Sequence, residues 1–323
     1  MKRRIMLIFS CTLALCVVFS LCGCAGQSYT PPVKTAKVDT PIIGEKKTLR
    51  VGVDAQNPPF AVQVSGKIVG LDVDIAAALA DELGLSLKVV DVGGDPEGAL
   101  SKGDVDIVMS LDKANTTLTC WLSDPYIQTA VALFAPSSTS TVPVAGSLPA
   151  PLVAAQTSSM SAWEVNNQFG DAALVASNDL KTAFTSVETG SAAYVAADAA
   201  IGSYVAHTNN IDVHIVALMK QVSGYCVGVA KTNTDLSAAV SEALKTITTN
   251  GVVSVVESKW LGSVLDLTKV PLTSALPTAK KSATPAAPAA TPPSQEAPPA
   301  AEGTTGAGDA GSNAVQNQQA PAA

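Results

Sequence analysis

Between residues 48 and 260 the chain alternates two hydrophobic rhythms. Residues 48–53, Thr-Leu-Arg-Val-Gly-Val, switch between polar and apolar side chains as a strand does. Leu71, Ile75, Leu79 and Leu83 then recur every four residues on one helical face, with Asp72 placed to cap the start and Gly84 to end the helix. Residues 87–90 read as a second strand, 95–102 as a short helix, and 105–109 as a nearly all-apolar strand of the kind a parallel sheet buries on both faces. The cycle recurs as strands at 152–155, 173–176 and 193–197 separated by helices at 161–169 and 179–187. A strand at 222–230, an amphipathic helix at 234–250 closed by Gly251, and a last helix at 252–260 complete the body. This order predicts an α/β fold with right-handed crossovers.

The rhythm is absent at both ends. Lys2, Arg3 and Arg4 precede an apolar run from Ile5 to Leu21 and the sequence Leu21-Cys22-Gly23-Cys24, which reads as an export signal over residues 1–23. The ending resembles the lipobox of bacterial lipoproteins, and this resemblance implies that Cys24 is acylated and becomes the new N-terminus. Each buried CH₂ of such an anchor contributes about 0.8 kcal/mol, so two or three chains hold without a transmembrane helix. A single uncleaved span is the alternative. Residues 24–47 read as a flexible tether, and the Pro/Ala-rich tail 271–323 lacks the large apolar side chains needed to offset ordering entropy.

About 300 residues remain after the signal, a length suited to two lobes. The formal charge is −7 and the arginines are Arg3, Arg4 and Arg50, so no basic face exists to neutralise a phosphate backbone, and nucleic acid is excluded as a partner. Cys120 and Cys226 stay in the body, with or without a bridge between them. The two histidines, His207 and His214, form no metal-binding spacing, and no nucleophile motif accompanies them. No cofactor, metal or enzymatic activity is therefore expected.

The ordered set Leu49-Arg50-Val51-Gly52-Val53-Asp54, Pro58-Pro59-Phe60, Gly70-Leu71-Asp72-Val73-Asp74-Ile75, Gly103-Asp104-Val105-Asp106, Ser123-Asp124-Pro125-Tyr126, Gly251 and Lys259-Trp260-Leu261-Gly262 resembles the polar amino acid family (family 3) of bacterial extracellular solute-binding proteins. The resemblance implies a periplasmic-binding-protein-like type II fold of two α/β lobes joined by a two-strand hinge, crossed near residues 131–134 and 225–229. Lobe 1 would take residues 48–133 and 225–270, and lobe 2 residues 134–224. It further implies a monomeric receptor of an ABC importer, held at the extracytoplasmic face of the cell membrane by its lipid anchor. Such a receptor captures a small solute by hinge closure and presents it to the permease subunits.

In that family an arginine several residues before the Ser-Asp-Pro-Tyr motif clamps the ligand carboxylate. Here the position falls on Thr116 counting back from Ser123, or on Leu118 counting forward from Asp106, and neither makes a bidentate fork. Lys113 is the nearest cation, either a solvated loop lysine or a point charge for the ligand. The usual aromatic second wall is replaced by Val92-Gly93-Gly94, and the glycine usual after the third strand is Leu111, after Ser110. The second-lobe loop that receives the carboxylate is Gln156-Thr157-Ser158-Ser159-Met160, where the hydroxyls of Ser158 and Ser159 precede a helix start. Asp54 and Phe60 are retained in the first lobe. Asp198 matches the family's acceptor for the ligand ammonium, or else caps the helix that follows. Together these departures point to an amino-acid-like or amine solute. An envelope sensor with a degenerate pocket, or a cyclohexadienyl dehydratase-like enzyme, are the alternatives.

Overall fold

The computed structural model describes residues 34–273. Cys24, the signal and most of the Pro/Ala-rich tail lie outside them. Among the described residues, fourteen strands and seven α-helices build two α/β lobes, each around its own main sheet.

The first lobe starts with β1 (Thr48–Val53), then a small antiparallel sheet of β2 (Gln56–Asn57), β3 (Ala61–Val64) and β4 (Lys67–Val69). Helix α1 (Leu71–Glu82) leads to β5 (Ser86–Asp91), helix α2 (Pro96–Lys102) to β6 (Ile107–Asp112), and β7 (Trp121–Leu122) and β8 (Ile127–Thr129) follow. The second lobe contains β9 (Val131–Pro136), β10 (Val153–Gln156), α3 (Met160–Phe169), β11 (Leu174–Ser177), α4 (Leu180–Glu188), β12 (Tyr194–Asp198), α5 (Ala199–Thr208) and β13 (Val213–Leu218). The chain then returns to the first lobe as β14 (Ser223–Val229), α6 (Thr234–Thr249) and α7 (Val252–Leu261).

The first sheet runs β5-β1-β6-β14-β7, with β8 also pairing β14; β1 is parallel to β5 and β6, whereas β14 is antiparallel to β6. The second sheet runs β11-β10-β12-β9-β13, parallel among β11, β10 and β12 and antiparallel at β9. Local chemistry sets the helix starts. Asp95, Ser159, Asp179, Asp198 and Asn233 each accept a backbone N–H of the helix they precede. Helix α1 departs from this rule: Gly70 stands at its N-cap without a side-chain bond, and Asp72, expected as the cap, points into the protein instead.

Three boundaries differ from the sequence reading. Residues 34–47, expected as part of a spacer, pack on the first lobe: Val38 and Ile43 are buried in its core, Lys37 N–H donates to the carbonyl of Leu83, and Asn233 donates to that of Ile42. These isolated apolar residues carry no periodicity that would reveal them. The crossings lie earlier than expected, near Ala130 and residues 219–222, because all-apolar β9 is already an interior strand of the second sheet. Finally, residues 262–273 do not stay with the first lobe. Leu267 joins the second-lobe core and Leu272 bridges Leu218 in parallel, with Thr273 N–H donating to the Leu218 carbonyl. This third crossing is a strap along the edge strand β13.

Candidate functional site

In an open α/β sheet, ligands sit beyond the carboxyl ends of the strands. At those ends of β1 and β6 the first lobe forms a cavity of about 220 Å³. Asp54, Asn57 and Phe60 close one side, Val92, Gly93, Gly94 and Pro96 the other, and Asp72, Met109, Ser110 and Leu111 the floor. A shallower cavity of about 410 Å³ adjoins it, sharing Gly94, Pro96, Ser110 and Leu111 and reaching Asp95, Glu97, Asp112, Asn115, Thr117 and Leu118. The two are lined by five carboxylates and by no lysine, arginine or histidine.

Asp54 follows β1, and its Oδ1 accepts the backbone N–H of Gln56 at 3.0 Å. Phe60 is buried, its ring edge-on to Tyr225 with centroids 4.5 Å apart. The floor is a network absent from the sequence reading. Asp72 Oδ2 accepts the Ser110 hydroxyl at 2.6 Å, Oδ1 accepts the Tyr126 phenol at 2.6 Å, and the Ser110 N–H donates to Tyr126 Oη at 2.9 Å. Burial pushes the Asp72 carboxyl up to about 6 against the opposing pull of those two hydroxyls, and burial with the neighbouring Asp72 pushes the Tyr126 phenol up as well. Ser110 holds a left-handed φ of +58°, a conformation that costs a non-glycine residue about 1–3 kcal/mol.

The cation proposed from sequence is elsewhere. Lys113 is half-exposed, faces Asp124 at 3.9 Å and lines neither cavity. It is a solvated loop lysine whose acidic neighbour, Asp124, is itself exposed. Thr116 is exposed and lines neither cavity, while Leu118 reaches the shallower one. Arg50, the sole arginine among the described residues, is committed to Asp106: Nη2 meets Oδ1 at 2.7 Å, and Nη1 donates to the Gly103 carbonyl.

On the second lobe, Ser159 Oγ caps α3 through Ala162 N–H at 3.0 Å and donates to the Gln156 carbonyl at 2.7 Å. Ser158 is exposed, with a left-handed φ of +60°. Neither serine lines the first-lobe cavity. Asp198 caps α5 by accepting Ala200 and Ile201 N–H on Oδ1, while Oδ2 accepts the hydroxyls of Thr129 and Tyr225 from the first lobe. Its four acceptor positions are thus filled by the protein, and it does not line the cavity. Burial raises its pKa against those hydrogen bonds.

Cys120 and Cys226 are both free. His207 and His214 line a separate crevice of about 350 Å³ between α5, β13 and the strap. Among the described residues no group of three or more His, Cys, Asp or Glu is arranged to hold a metal.

Two sheet-based lobes, a thrice-crossed hinge and a polar cavity at the strand ends define a two-lobed solute-binding protein. Residues 49–263 match the bacterial extracellular solute-binding proteins, family 3, and the chain belongs to that family. Solved structures agree. An ancestral cationic amino acid solute-binding protein is 26% identical, with a TM-score of 0.57 over 67% of this chain and 96% of that one. A polar amino acid ABC uptake transporter substrate-binding protein from Streptococcus thermophilus is 18% identical, with a TM-score of 0.59 over 68% and 87%. The L-cystine solute receptor of Neisseria gonorrhoeae, in its unliganded open conformation, is 22% identical, with a TM-score of 0.58 over 67% and 93%. No curated protein matches the chain.

Proposed function

We propose that this protein is the lipid-anchored receptor of an ABC importer for a small amine, a cationic solute whose carboxylate is reduced, masked or absent. The observation that carries the substrate class is the lining of the two first-lobe cavities: Asp54, Asp72, Asp95, Glu97 and Asp112 with no cation among them. An uncompensated buried carboxylate costs several kcal/mol, and the chain's one described arginine is spent on Asp106. An ammonium group, by contrast, meets carboxylates, of which Asp95 also faces Lys102 at 3.7 Å and Glu97 also accepts from Thr119 and Cys120. The likeness to a cationic amino acid binder supports the positive charge, and the filled carboxylate of Asp198 leaves the first lobe to provide the counter-charge. Capture rather than chemistry is the role in this reading: the Ser110 hydroxyl is held by Asp72, a carboxylate that also holds Tyr126, and no histidine or lysine lines the cavity beside them.

Calorimetry on the purified protein tests the substrate class. Lysinamide, cadaverine and putrescine should bind more tightly than lysine or any neutral amino acid. Submicromolar affinity for an unmodified neutral or acidic amino acid overturns the reading. For the anchor, Cys24→Ser should move the protein from the membrane fraction to the soluble one, and full retention of that variant would make residues 5–21 a true span.

A further inference from the structure

The floor of the cavity holds more information than its charge. A carboxylate only accepts, so the single hydroxyl protons of Ser110 and Tyr126 both point at Asp72. Tyr126 Oη takes the Ser110 N–H in addition, and this bond fixes the strained backbone of Ser110 beside the cavity. With its proton committed to Asp72, the Ser110 hydroxyl can show the cavity only lone pairs. Adding one proton to Asp72 breaks this arrangement. The new O–H must donate to one of its two partners, and Ser110, half-buried at the cavity, is the one free to turn its own proton toward the ligand. Tyr126 is buried and already holds the Ser110 N–H.

We propose that Asp72 sets the hydrogen-bonding polarity of the cavity through Ser110: the carboxylate form selects an ammonium or other N–H donor, and the protonated form turns the floor into a donor and releases it. This rests on the reading of the protein as an amine receptor. The groups facing Asp72 are Tyr126 from the segment before β8, Tyr225 from β14 and Asp54 at the end of β1, with Asp112 and Asp198 beyond Tyr225. All are acids or phenols, and no cation opposes the change. Burial puts the titration at about 6, so the two forms exchange under mild acidity. From pH 7 to pH 5 the ionised fraction of such a group falls about tenfold, and the apparent affinity for an amine falls with it.

The ligand-free protein gives the first test. Carbon-13 NMR of the Asp72 carboxyl between pH 4 and 8 should show a midpoint near 6, with the Ser110 amide and the Tyr126 ring titrating in step. Ser110→Ala removes one hydrogen bond to the carboxylate and should move that midpoint upward. A midpoint near 4, or Ser110 and Tyr126 signals that ignore it, overturns the proposal without touching the amine reading. Calorimetry with putrescine and lysinamide gives the second test. Affinity should be about tenfold weaker at pH 5 than at pH 7, with proton release on binding near pH 6, and Asp72→Asn should abolish both effects. Equal affinity at the two pH values overturns the switch and leaves the amine receptor standing. Failure of both amines to bind at pH 8 overturns the amine reading and the selection together.

Discussion

Tyr225 and Asp198 meet across the hinge: the phenol on β14 of the first lobe donates to Oδ2 of the last residue of β12 in the second, at 3.1 Å. The same oxygen takes the Thr129 hydroxyl from β8, while the other oxygen caps α5. The Tyr225 ring also stands edge-on to Phe60, which lines the cavity. Cavity wall, hinge strand and the second-lobe helix α5 are thus joined through one tyrosine.

Asp198→Ala should therefore destabilise the ligand-free protein. Two backbone N–H groups and two hydroxyls lose their acceptor in a buried site, a loss of about 3 kcal/mol, whereas Thr129→Val and Tyr225→Phe should each cost about 1 kcal/mol. Urea titration of the three variants measures this. A residue acting on ligand alone would leave these curves superimposed and move only the dissociation constant.

The strands and helices with a clear rhythm were legible from sequence. Helices α2, α3, α4, α6 and α7 fall within one residue of the expected spans, and all but α7 start on a polar cap or a proline that the sequence displays. Strands β9 and β13 were not, because a short apolar run between polar loops carries no period of its own. Of the residues that the sequence offers as ligand contacts, Asp54, Phe60 and Ser110 line one cavity, whereas Lys113, Thr116, Ser158, Ser159 and Asp198 do not. Asp72 reads as a cap in the sequence because an acid in a first helical turn usually interacts with that turn. Its true partners lie 38 and 54 residues away, a separation that no local pattern encodes. Lys113 stays open between a loop lysine and a ligand contact at the level of sequence, which gives the position of a charge and not the direction of its side chain.

Gly93 and Gly94 separate conformation from space. A Cβ at Gly94 meets no atom within 4 Å and the residue has no left-handed φ, whereas Gly93 sits at φ +52°. Gly94→Ala should stabilise by about 0.5 kcal/mol through the unfolded chain, and Gly93→Ala should cost about 1 kcal/mol. Because Gly94 borders both cavities, Gly94→Tyr restores an aromatic wall and should tighten binding of an amine with an apolar body. Thermal melts and calorimetry check both claims, and a loss of fold in Gly94→Tyr would contradict them.

Glu257 gives a pH signature distinct from that of Asp72. It lies on the buried face of α7, where burial pushes its carboxyl up to about 7 from 4.5 against a hydrogen bond from the Leu265 backbone. A raised folded-state pKa means that the protonated form is the stable one. Its contribution is full below pH 4.5 and lost as the pH rises through about 7. Asp72 acts in a lower window, between 3.8 and about 6. The melting temperature should accordingly fall between pH 6 and pH 8, and Glu257→Gln should flatten that fall and melt a few degrees higher at pH 8. Identical slopes for the two proteins would place Glu257 in water.

The strap makes the sharpest prediction about stability. Residues 262–273 leave α7, bury Leu267 in the second-lobe core and pair Leu272 with Leu218 on the open edge of β13. Leu267→Ala removes three carbons' worth of packing at a site with 2% exposure and should cost about 2–4 kcal/mol. Ending the chain after Gly262 should cost more, since it also uncovers the edge strand and exposes Phe134, Val213 and Ile215 along the crevice that holds His207 and His214. Ending it after Leu276 keeps the strap whole and removes a segment too poor in apolar side chains to bury surface, so the melting temperature should not move. Denaturant unfolding of the three proteins decides the matter. A cost under 1 kcal/mol for Leu267→Ala, or equal melting of the two truncations, would mean that the strap rests on the second lobe without holding it.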